Sequence, residues 1–136
     1  MTDPTFNHLN ASLDQGVLVL ALQETSIQDE KIAEAILQEF LQAVSLHGTQ
    51  KVVIDFQKLK YISSVAFRPL LNLRRKMLDS GGRLIICNLS KVVGDVFYTT
   101  RLVDSGGGFS APFELETDVP AAVARANTEP TPKKAP

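Results

Sequence analysis

The sequence predicts an α/β domain in which helices pack against a sheet. An opening hairpin pattern is followed by short apolar strand patterns that alternate with segments of helical periodicity. Strands that follow one another through a helix need crossover connections, which place the helices against the sheet. A chain of 136 residues with 44% hydrophobic residues fits one such domain with a single core.

The first two strands are predicted from alternating apolar residues and a turn. Apolar side chains alternate from Leu9 to Leu13, and Asp14, Gln15 and Gly16 supply the turn. The run at 17–22 is apolar at successive positions, so we expect this second strand at the centre of the sheet, covered on both faces.

The longest helix is predicted from Ser26 to His47. Apolar residues recur there at intervals of three and four, as on the buried face of an amphipathic helix. Thr25 and Ser26 are the expected N-caps, since Thr25 and Gln28 have the spacing of a capping box. Gly48 is the expected C-cap.

Two further apolar runs, at 51–56 and 83–88, predict strands that are covered on both faces. A second amphipathic helix lies between them and ends at a glycine pair. Ser90 is the expected cap of a short third helix. Cys87 is expected to be a small core residue.

The last third of the chain has weaker patterns. The triple glycine 106–108 is expected to be a flexible joint, 113–115 a short edge strand, and Val119 to Arg125 a final helix. Segment 127–136 has three prolines, two lysines and no large apolar side chain. We expect it to be a disordered tail after a single domain over residues 1–126.

Composition and charge exclude several classes of function. A formal net charge of −1 gives no electrostatic reason to expect nucleic acid, and no apolar run is long enough to insert across a bilayer. Residues 1–4 lack the pattern of a signal peptide, and the single cysteine cannot form an internal disulfide. The cytoplasm is therefore the expected compartment.

The sequence offers little for catalysis. No cysteine pair or histidine–carboxylate cluster has metal-ligand spacing, and the two histidines are distant in sequence. The triple glycine lacks the lysine and hydroxyl of a phosphate-binding loop. We therefore predict no metal site, no cofactor and no enzymatic activity.

The candidate functional region is segment 55–71. It runs from the end of a buried strand through a polar turn to Ser63 and Ser64, and then into an apolar helix. A hydroxyl at this place either caps the helix, which is worth about 0.5–2 kcal/mol, or carries a phosphate. Pro69 favours a helix that begins one or two residues after Ser64, because its ring opposes a carbonyl one turn earlier. The serines are then expected in the loop ahead of the helix, more exposed than an ordinary cap.

The helix after the serines has two apolar stripes. The stripe from Ala66 to Met77 is expected to pack on the sheet. Phe67, Leu71 and Leu78 lie beside it, and we favour core packing for them, with a partner surface as the alternative. Three basic residues are expected on the exposed side, either as a rim for an acidic partner or as solvated charges: Arg68, Arg75 and Lys76.

Three segments occur in a characteristic order: Val-Ile-Asp-Phe at 53–56, Tyr-Ile-Ser-Ser at 61–64 and Gly-Gly-Arg-Leu at 81–84. Together with the short helix from Ser90, they resemble the sulfate transporter and anti-sigma factor antagonist (STAS) domain over residues 6–125. The resemblance implies a mixed sheet of four to five strands with helices packed mainly on one face. It also implies a switch: bacterial antagonists of this family bind an anti-sigma factor serine kinase when unphosphorylated and release it when phosphorylated.

The resemblance also implies a site. In the antagonists the phosphorylated hydroxyl belongs to the Ser-Ser or Ser-Thr pair of an Asp-Ser-Ser-Gly or Asp-Ser-Thr-Gly motif. Aligned on this pair, the predicted phosphorylation site is Ser64, with Ser63 as the less favoured choice. Ile62 stands where the motif has Asp, and Val65 stands where it has Gly. The predicted partner-binding residues surround the pair: Tyr61, Ile62, Ser63, Ser64, Val65 and Arg68.

Two functions are compatible with this resemblance. The first is a phosphorylation-controlled anti-sigma factor antagonist. The second is an adaptor or scaffold subunit that is not phosphorylated and acts in a signalling or envelope transport complex through the same surface. The expected partner is an anti-sigma factor serine kinase or another STAS-binding protein, and a homo-oligomer is compatible with either function.

Overall fold

A computed structural model describes residues 6–99 and 113–128 of the chain. Within these residues there are seven strands: β1 (Leu9–Asp14), β2 (Val17–Leu22), β3 (Ser26–Ile27), β4 (Lys51–Asp55), β5 (Tyr61–Ile62), β6 (Arg83–Cys87) and β7 (Glu114–Glu116). Five of them form one sheet in the order β1-β2-β4-β6-β7, and β3 pairs with β5 in a separate two-stranded sheet. This architecture confirms the predicted α/β fold with a mixed sheet.

The order of strands follows from the connections between them. Gln15 and Gly16, both with positive φ, form the two-residue turn of the antiparallel β1–β2 hairpin. From β2 onward the pairs β2–β4, β4–β6 and β6–β7 are parallel. The residues of β2 are almost all buried, as predicted for a strand with neighbours on both sides.

The described residues also form four α-helices: α1 (Glu30–His47), α2 (Phe67–Asp79), α3 (Lys91–Thr99) and α4 (Val119–Ala126). Strand side chains alternate between the two faces of the sheet, and Leu20 and Ile54 pack with α1, α2 and α3. Val53 and Ile85 point to the opposite face and pack with α4. Three helices therefore cover one face and one helix covers the other, as expected for helices mainly on one face. No helix of the described chain is both long and apolar enough to cross a membrane.

An aromatic cluster joins α3 to the rest of the larger core. Phe97 makes edge-to-face contacts with Phe56, Phe67 and Phe113 at centroid distances of 5.8, 5.5 and 6.0 Å. Such contacts add to the stabilisation from buried area. The cluster fixes the start of α2 and the approach to β7 on the same side of the sheet.

The predicted start of the longest helix is wrong. Asp29, rather than Thr25 or Ser26, is the N-cap of α1, and its carboxylate accepts a hydrogen bond from the Lys31 N–H at 2.6 Å. Ser26 and Ile27 form β3 instead, because pairing with β5 and burial of the Ile27 side chain override the local capping pattern. The predicted C-cap is confirmed, since Gly48 adopts a left-handed conformation with φ 63°.

The weaker patterns of the last third are partly tested. The edge strand predicted at 113–115 is present as β7, and the final helix is α4. The triple glycine lies outside the described residues. Asn127 and Thr128, at the start of the predicted tail, hydrogen bond to Lys51 and Arg83, and residues 129–136 lie outside the described range.

Candidate interaction site

The chain enters α2 through a single 3₁₀ turn, Ser64–Ala66. Ser63 precedes this turn in an extended conformation, and its carbonyl accepts a hydrogen bond from the Ala66 N–H at 3.0 Å. Regular α-helix begins at Phe67, so Pro69 lies in the first turn, where backbone N–H groups lack helical partners. The regular helix therefore begins after the serines, as predicted, but three residues after Ser64 rather than one or two.

The two serines have different environments. The Ser63 Oγ is buried and has no hydrogen-bond partner among residues 6–99 and 113–128. Ser64 is exposed, and no hydrogen bond from its hydroxyl occurs within the same residues. Neither side chain caps the helix, since the residue before the 3₁₀ turn makes no side-chain cap bond. Ser64 is therefore the member of the pair that faces solvent.

The segment that carries the serines is fixed by pairing of β5 with β3. Ser26 pairs with Tyr61, and Ile27 pairs with Ile62. The Ser63 N–H continues this pairing by donating to the Ile27 carbonyl at 3.0 Å. The backbone next to the hydroxyls is thereby held against the loop that precedes α1.

The predicted partner-binding residues divide into exposed and packed members. Tyr61 is 57% exposed, and Arg68 is exposed with an ion pair to Glu34 at 3.0 Å. Ile62 and Val65 are partly buried and pack against the larger core. The exposed part of the predicted surface therefore consists of Tyr61, Ser64 and Arg68. Ile62 and Val65 support this surface from below.

Asp55 holds together the carboxyl ends of two neighbouring strands near this junction. One of its carboxylate oxygens accepts hydrogen bonds from the Gln57 N–H and from the Asn88 amide, both at 2.9 Å. Asn88 has a φ of 62°, a left-handed conformation that Asn adopts more readily than most residues. Asp55 belongs to the candidate segment 55–71 of the sequence analysis, whereas Asn88 was not identified there. An Asn directly after a buried strand was the available signal.

A second polar cluster lies at the edge of the sheet and was not predicted. The Arg83 guanidinium makes two hydrogen bonds of 2.8 Å to the Glu114 carboxylate, which also accepts from Arg125 at 3.1 Å. Burial alone would raise the pKa of Glu114, but the hydrogen bonds and charges of Arg83 and Arg125 outweigh it and lower this pKa. The cluster joins β6, β7 and α4. Arg83 on β6 and Glu114 on β7 are 31 residues apart along the chain, so no local pattern reveals their pairing.

Cys87 is fully buried and free, as predicted. Burial raises the pKa of its thiol to about 12, and the nearby carboxylates of Asp55, Asp118 and Glu116 contribute in the same direction. The thiol is therefore un-ionised at neutral pH and acts as a small core side chain. No group of three or more His, Cys, Asp or Glu side chains within the described ranges has the arrangement of a metal site.

The structure is a small α/β domain with an exposed serine, Ser64, at a strand-to-helix junction. The family model of the STAS domain matches residues 8–118. The chain therefore belongs to the STAS domain family, as the sequence predicted, and to its anti-sigma factor antagonist type.

A sequence relative and two solved structures illustrate this membership. The chain is 32% identical to BtrV of Bordetella bronchiseptica, a candidate anti-sigma factor antagonist, over 82 residues, or 60% of this chain and 68% of BtrV. The crystal structure of TM1081 from Thermotoga maritima, another candidate antagonist, is similar with a TM-score of 0.72 and 14% identity, covering 88% of this chain and 95% of TM1081. The phosphorylated form of the Bacillus cell fate determinant SpoIIAA is similar with a TM-score of 0.61 and 18% identity, covering 86% of this chain and 97% of SpoIIAA.

Proposed function

We propose that this chain is a phosphorylation-controlled switch, an anti-sigma factor antagonist that binds an anti-sigma factor serine kinase while Ser64 is unphosphorylated. The observation that carries the proposal is the exposed Ser64 hydroxyl just before α2, which does not cap the helix. The neighbouring serine, Ser63, has a buried oxygen. In this role the chain acts in the cytoplasm by binding, and needs no metal, cofactor or catalysis of its own.

The environment of the serine pair favours Ser64 as the acceptor. A kinase must bring the γ-phosphate of ATP in line with the attacking oxygen, so this oxygen has to be exposed at the protein surface. The Ser63 oxygen is buried, so a kinase could reach it only after the local structure opens. The Ser64 side chain needs no such opening.

The chain itself can accommodate a phosphate at Ser64. A phosphoserine carries about −1.5 to −2 charges, which the unpaired N–H groups of a helix start favour. Arg68 follows one helical turn later and is exposed. Its present partner, Glu34, lies on the surface of α1, where an ion pair is worth only about 0–1 kcal/mol. Arg68 is therefore free to exchange Glu34 for the phosphate at little cost.

A docked partner need not supply groups that offset the charge of a phosphate at Ser64. If the kinase packs over Ser64, a phosphate there becomes a desolvated dianion at the interface, and an uncompensated buried charge costs about 3–5 kcal/mol. Phosphorylation would then release the partner while the domain stays folded. The phosphorylated form of SpoIIAA has a similar fold, which supports the expectation that the domain stays folded when it carries a phosphate.

An adaptor that is not phosphorylated is the second candidate function. Ile62 and Val65, which replace the Asp and Gly of the antagonist motif, pack against the core. A junction held in this way gives a rigid surface whose binding needs no chemical control. Under this alternative the same exposed residues, Tyr61, Ser64 and Arg68, contact a constitutive partner.

Phosphorylation mapping distinguishes the two functions. The protein is incubated with ATP and each purified anti-sigma factor serine kinase encoded in the same genome, and the product is digested and sequenced by mass spectrometry. We expect one phosphate on Ser64, absent in Ser64→Ala and retained in the matched control Ser63→Ala. A stable complex that forms with no phosphate on either serine would favour the adaptor.

A further inference from the structure

Four exposed residues form a stripe along the outer face of α2, and we call it the α2 stripe: Arg68, Leu71, Arg75 and Leu78. Their spacing of three, four and three residues places them within an arc of about 80° on a helix with 3.6 residues per turn. Leu71 is 39% exposed and Leu78 is 50% exposed. The favoured prediction that these two leucines pack in the core is therefore wrong, although Phe67 does pack there.

Packing of the domain does not require these leucines. The opposite face of α2 already supplies the contacts with the core through four buried residues: Pro69, Leu70, Leu73 and Met77. A single exposed leucine is ordinary, but two leucines that alternate with arginines on one helix face form a contiguous amphipathic surface. Such a surface has the composition of an interface, where arginine is enriched and apolar area is covered.

The charge of α2 differs from that of the whole chain. The helix has four basic residues and one acidic residue, whereas the chain has a formal net charge of −1. Arg75 and Lys76 are exposed and make no ion pair with other residues in 6–99 and 113–128. A positive surface on a slightly negative protein is complementary to a negative partner.

A groove runs beside the stripe, between α1 and α2. It has a volume of about 430 Å³ and is lined by Leu41, Asn72, Arg75, Lys76, Asp79 and Ser80. Arg75 belongs to both the groove and the stripe. The groove thus provides a concave site where a carboxylate can reach the two unpaired cations while an apolar side chain contacts Leu41.

We propose that the α2 stripe and this groove bind an acidic amphipathic segment of the partner protein, with apolar side chains on Leu71 and Leu78 and carboxylates on Arg68 and Arg75. This inference rests on the proposed function, because Ser64 lies one turn before Arg68 and the stripe extends the same surface. An anionic membrane is the less favourable occupant. A helix that binds a membrane needs a broad apolar face. The broad apolar face of α2 is already buried in the core.

Titration of the isotope-labelled full chain with a defined peptide tests the inference directly. The probe is a synthetic helical peptide with leucines along one face and glutamates on both sides of them. We expect backbone amide shifts confined to residues 64–80 and to the part of α1 around Leu41, and affinity that falls as salt is added. Arg75→Glu and Leu78→Ser should each weaken binding about tenfold, the size expected for central interface contacts. Two exposed residues on other elements serve as matched controls that leave binding unchanged: Lys91→Glu and Leu13→Ser.

Three results would overturn the inference. One is the absence of shifts in this region, another is equal binding of the same peptide with lysines in place of glutamates, and the third is binding of vesicles that contain phosphatidylglycerol in place of the peptide. The same variants separate this inference from the proposed function. If Arg75→Glu binds the kinase as well as the unchanged protein does and only Ser64→Asp is impaired, the stripe has no role and Ser64 remains the control point. If no kinase modifies Ser64 but the acidic peptide still binds the stripe, the phosphorylation switch is wrong and the docking surface stands.

Discussion

Two polar regions of this domain are built in opposite ways. At the sheet edge, Arg83 and Arg125 enclose Glu114, and Arg83 also donates to the Arg125 carbonyl at 2.8 Å. At the junction before α2, the hydroxyls of Ser63 and Ser64 have no hydrogen-bond partner in the described part of the chain. The first region satisfies its own polar groups and holds secondary structure together. The second leaves the exposed Ser64 hydroxyl without a partner in the same residues, and we propose that this hydroxyl acts in binding.

This difference gives a criterion for assigning other polar residues to the scaffold or to the docking surface. Asp55 and Asn88 lie near the junction but satisfy each other, so we assign them to the scaffold. Arg75 is exposed and unpaired within the described residues, so we assign it to the docking surface. Substitutions in the first group should change the free energy of unfolding, and substitutions in the second should change binding.

The largest loss of stability is expected for Arg83→Met. The change keeps most of the aliphatic side chain but removes the two bonds to Glu114 and leaves its partly buried carboxylate with fewer donors. We expect a loss of about 2–3 kcal/mol in the free energy of unfolding, measured by urea denaturation. Lys91→Met is the matched control, since Lys91 makes only an exposed pair with Asp95. Equal losses for the two variants would show that the edge cluster does not stabilise the fold.

A smaller loss is expected for Asp55→Ala. The Gln57 N–H and the Asn88 amide both lose their acceptor, which should cost about 1–2 kcal/mol. Because these bonds join the ends of β4 and β6, hydrogen exchange should accelerate at residues 56–62 but not in α4. Asp95→Ala provides the control for loss of an exposed carboxylate. Unchanged exchange at 56–62 would mean that Asp55 does not support the junction.

Acid should weaken the edge cluster. The pKa of Glu114 is lowered in the folded state, so its contribution is complete above the ordinary carboxyl pKa of about 4.3 and is lost as the pH falls through the lower folded-state value. Glu114→Gln removes this contribution at every pH. The difference in unfolding free energy between the unchanged protein and Glu114→Gln should therefore shrink from about pH 6 to about pH 3. A difference that stays constant over this range would contradict the assigned ion pairs.

The smallest effect on stability is expected for Ser64→Ala. Its hydroxyl caps nothing, so the free energy of unfolding should change by less than about 0.5 kcal/mol. Ser90→Ala is an informative comparison, because the Ser90 Oγ accepts a hydrogen bond from the Val93 N–H at 3.2 Å and caps α3. Thermal denaturation should show a loss of about 1 kcal/mol for Ser90→Ala only. A similar loss for Ser64→Ala would indicate that Ser64 serves as a structural cap.

The same contrast explains which features the sequence could predict. The helices, the main strands, the cap at Gly48 and the helix start after Ser64 follow from local periodicity and backbone chemistry, and they were predicted. The start of α1 was not, because Ser26 and Ile27 gain more from pairing with Tyr61 and Ile62 than from extending the helix.

Features that depend on contacts between residues distant in sequence could not be predicted from local sequence patterns. The cluster of Arg83, Glu114 and Arg125 is formed by three elements that meet only after folding. The exposure of Leu71 and Leu78 has a similar origin. Their helical positions were predicted, but only the tertiary structure shows that no element of the described residues covers them.

The central claim is that Ser64 controls binding of a partner. The most direct measurement is the affinity of the kinase that modifies it, determined by calorimetry for the unchanged protein, Ser64→Ala, Ser64→Asp and the phosphorylated protein. We predict that Ser64→Ala binds as the unchanged protein does, while the phosphorylated protein binds at least about a hundredfold more weakly and Ser64→Asp is also weakened. Equal affinities for all four forms would contradict the account and leave the constitutive adaptor as the function of this domain.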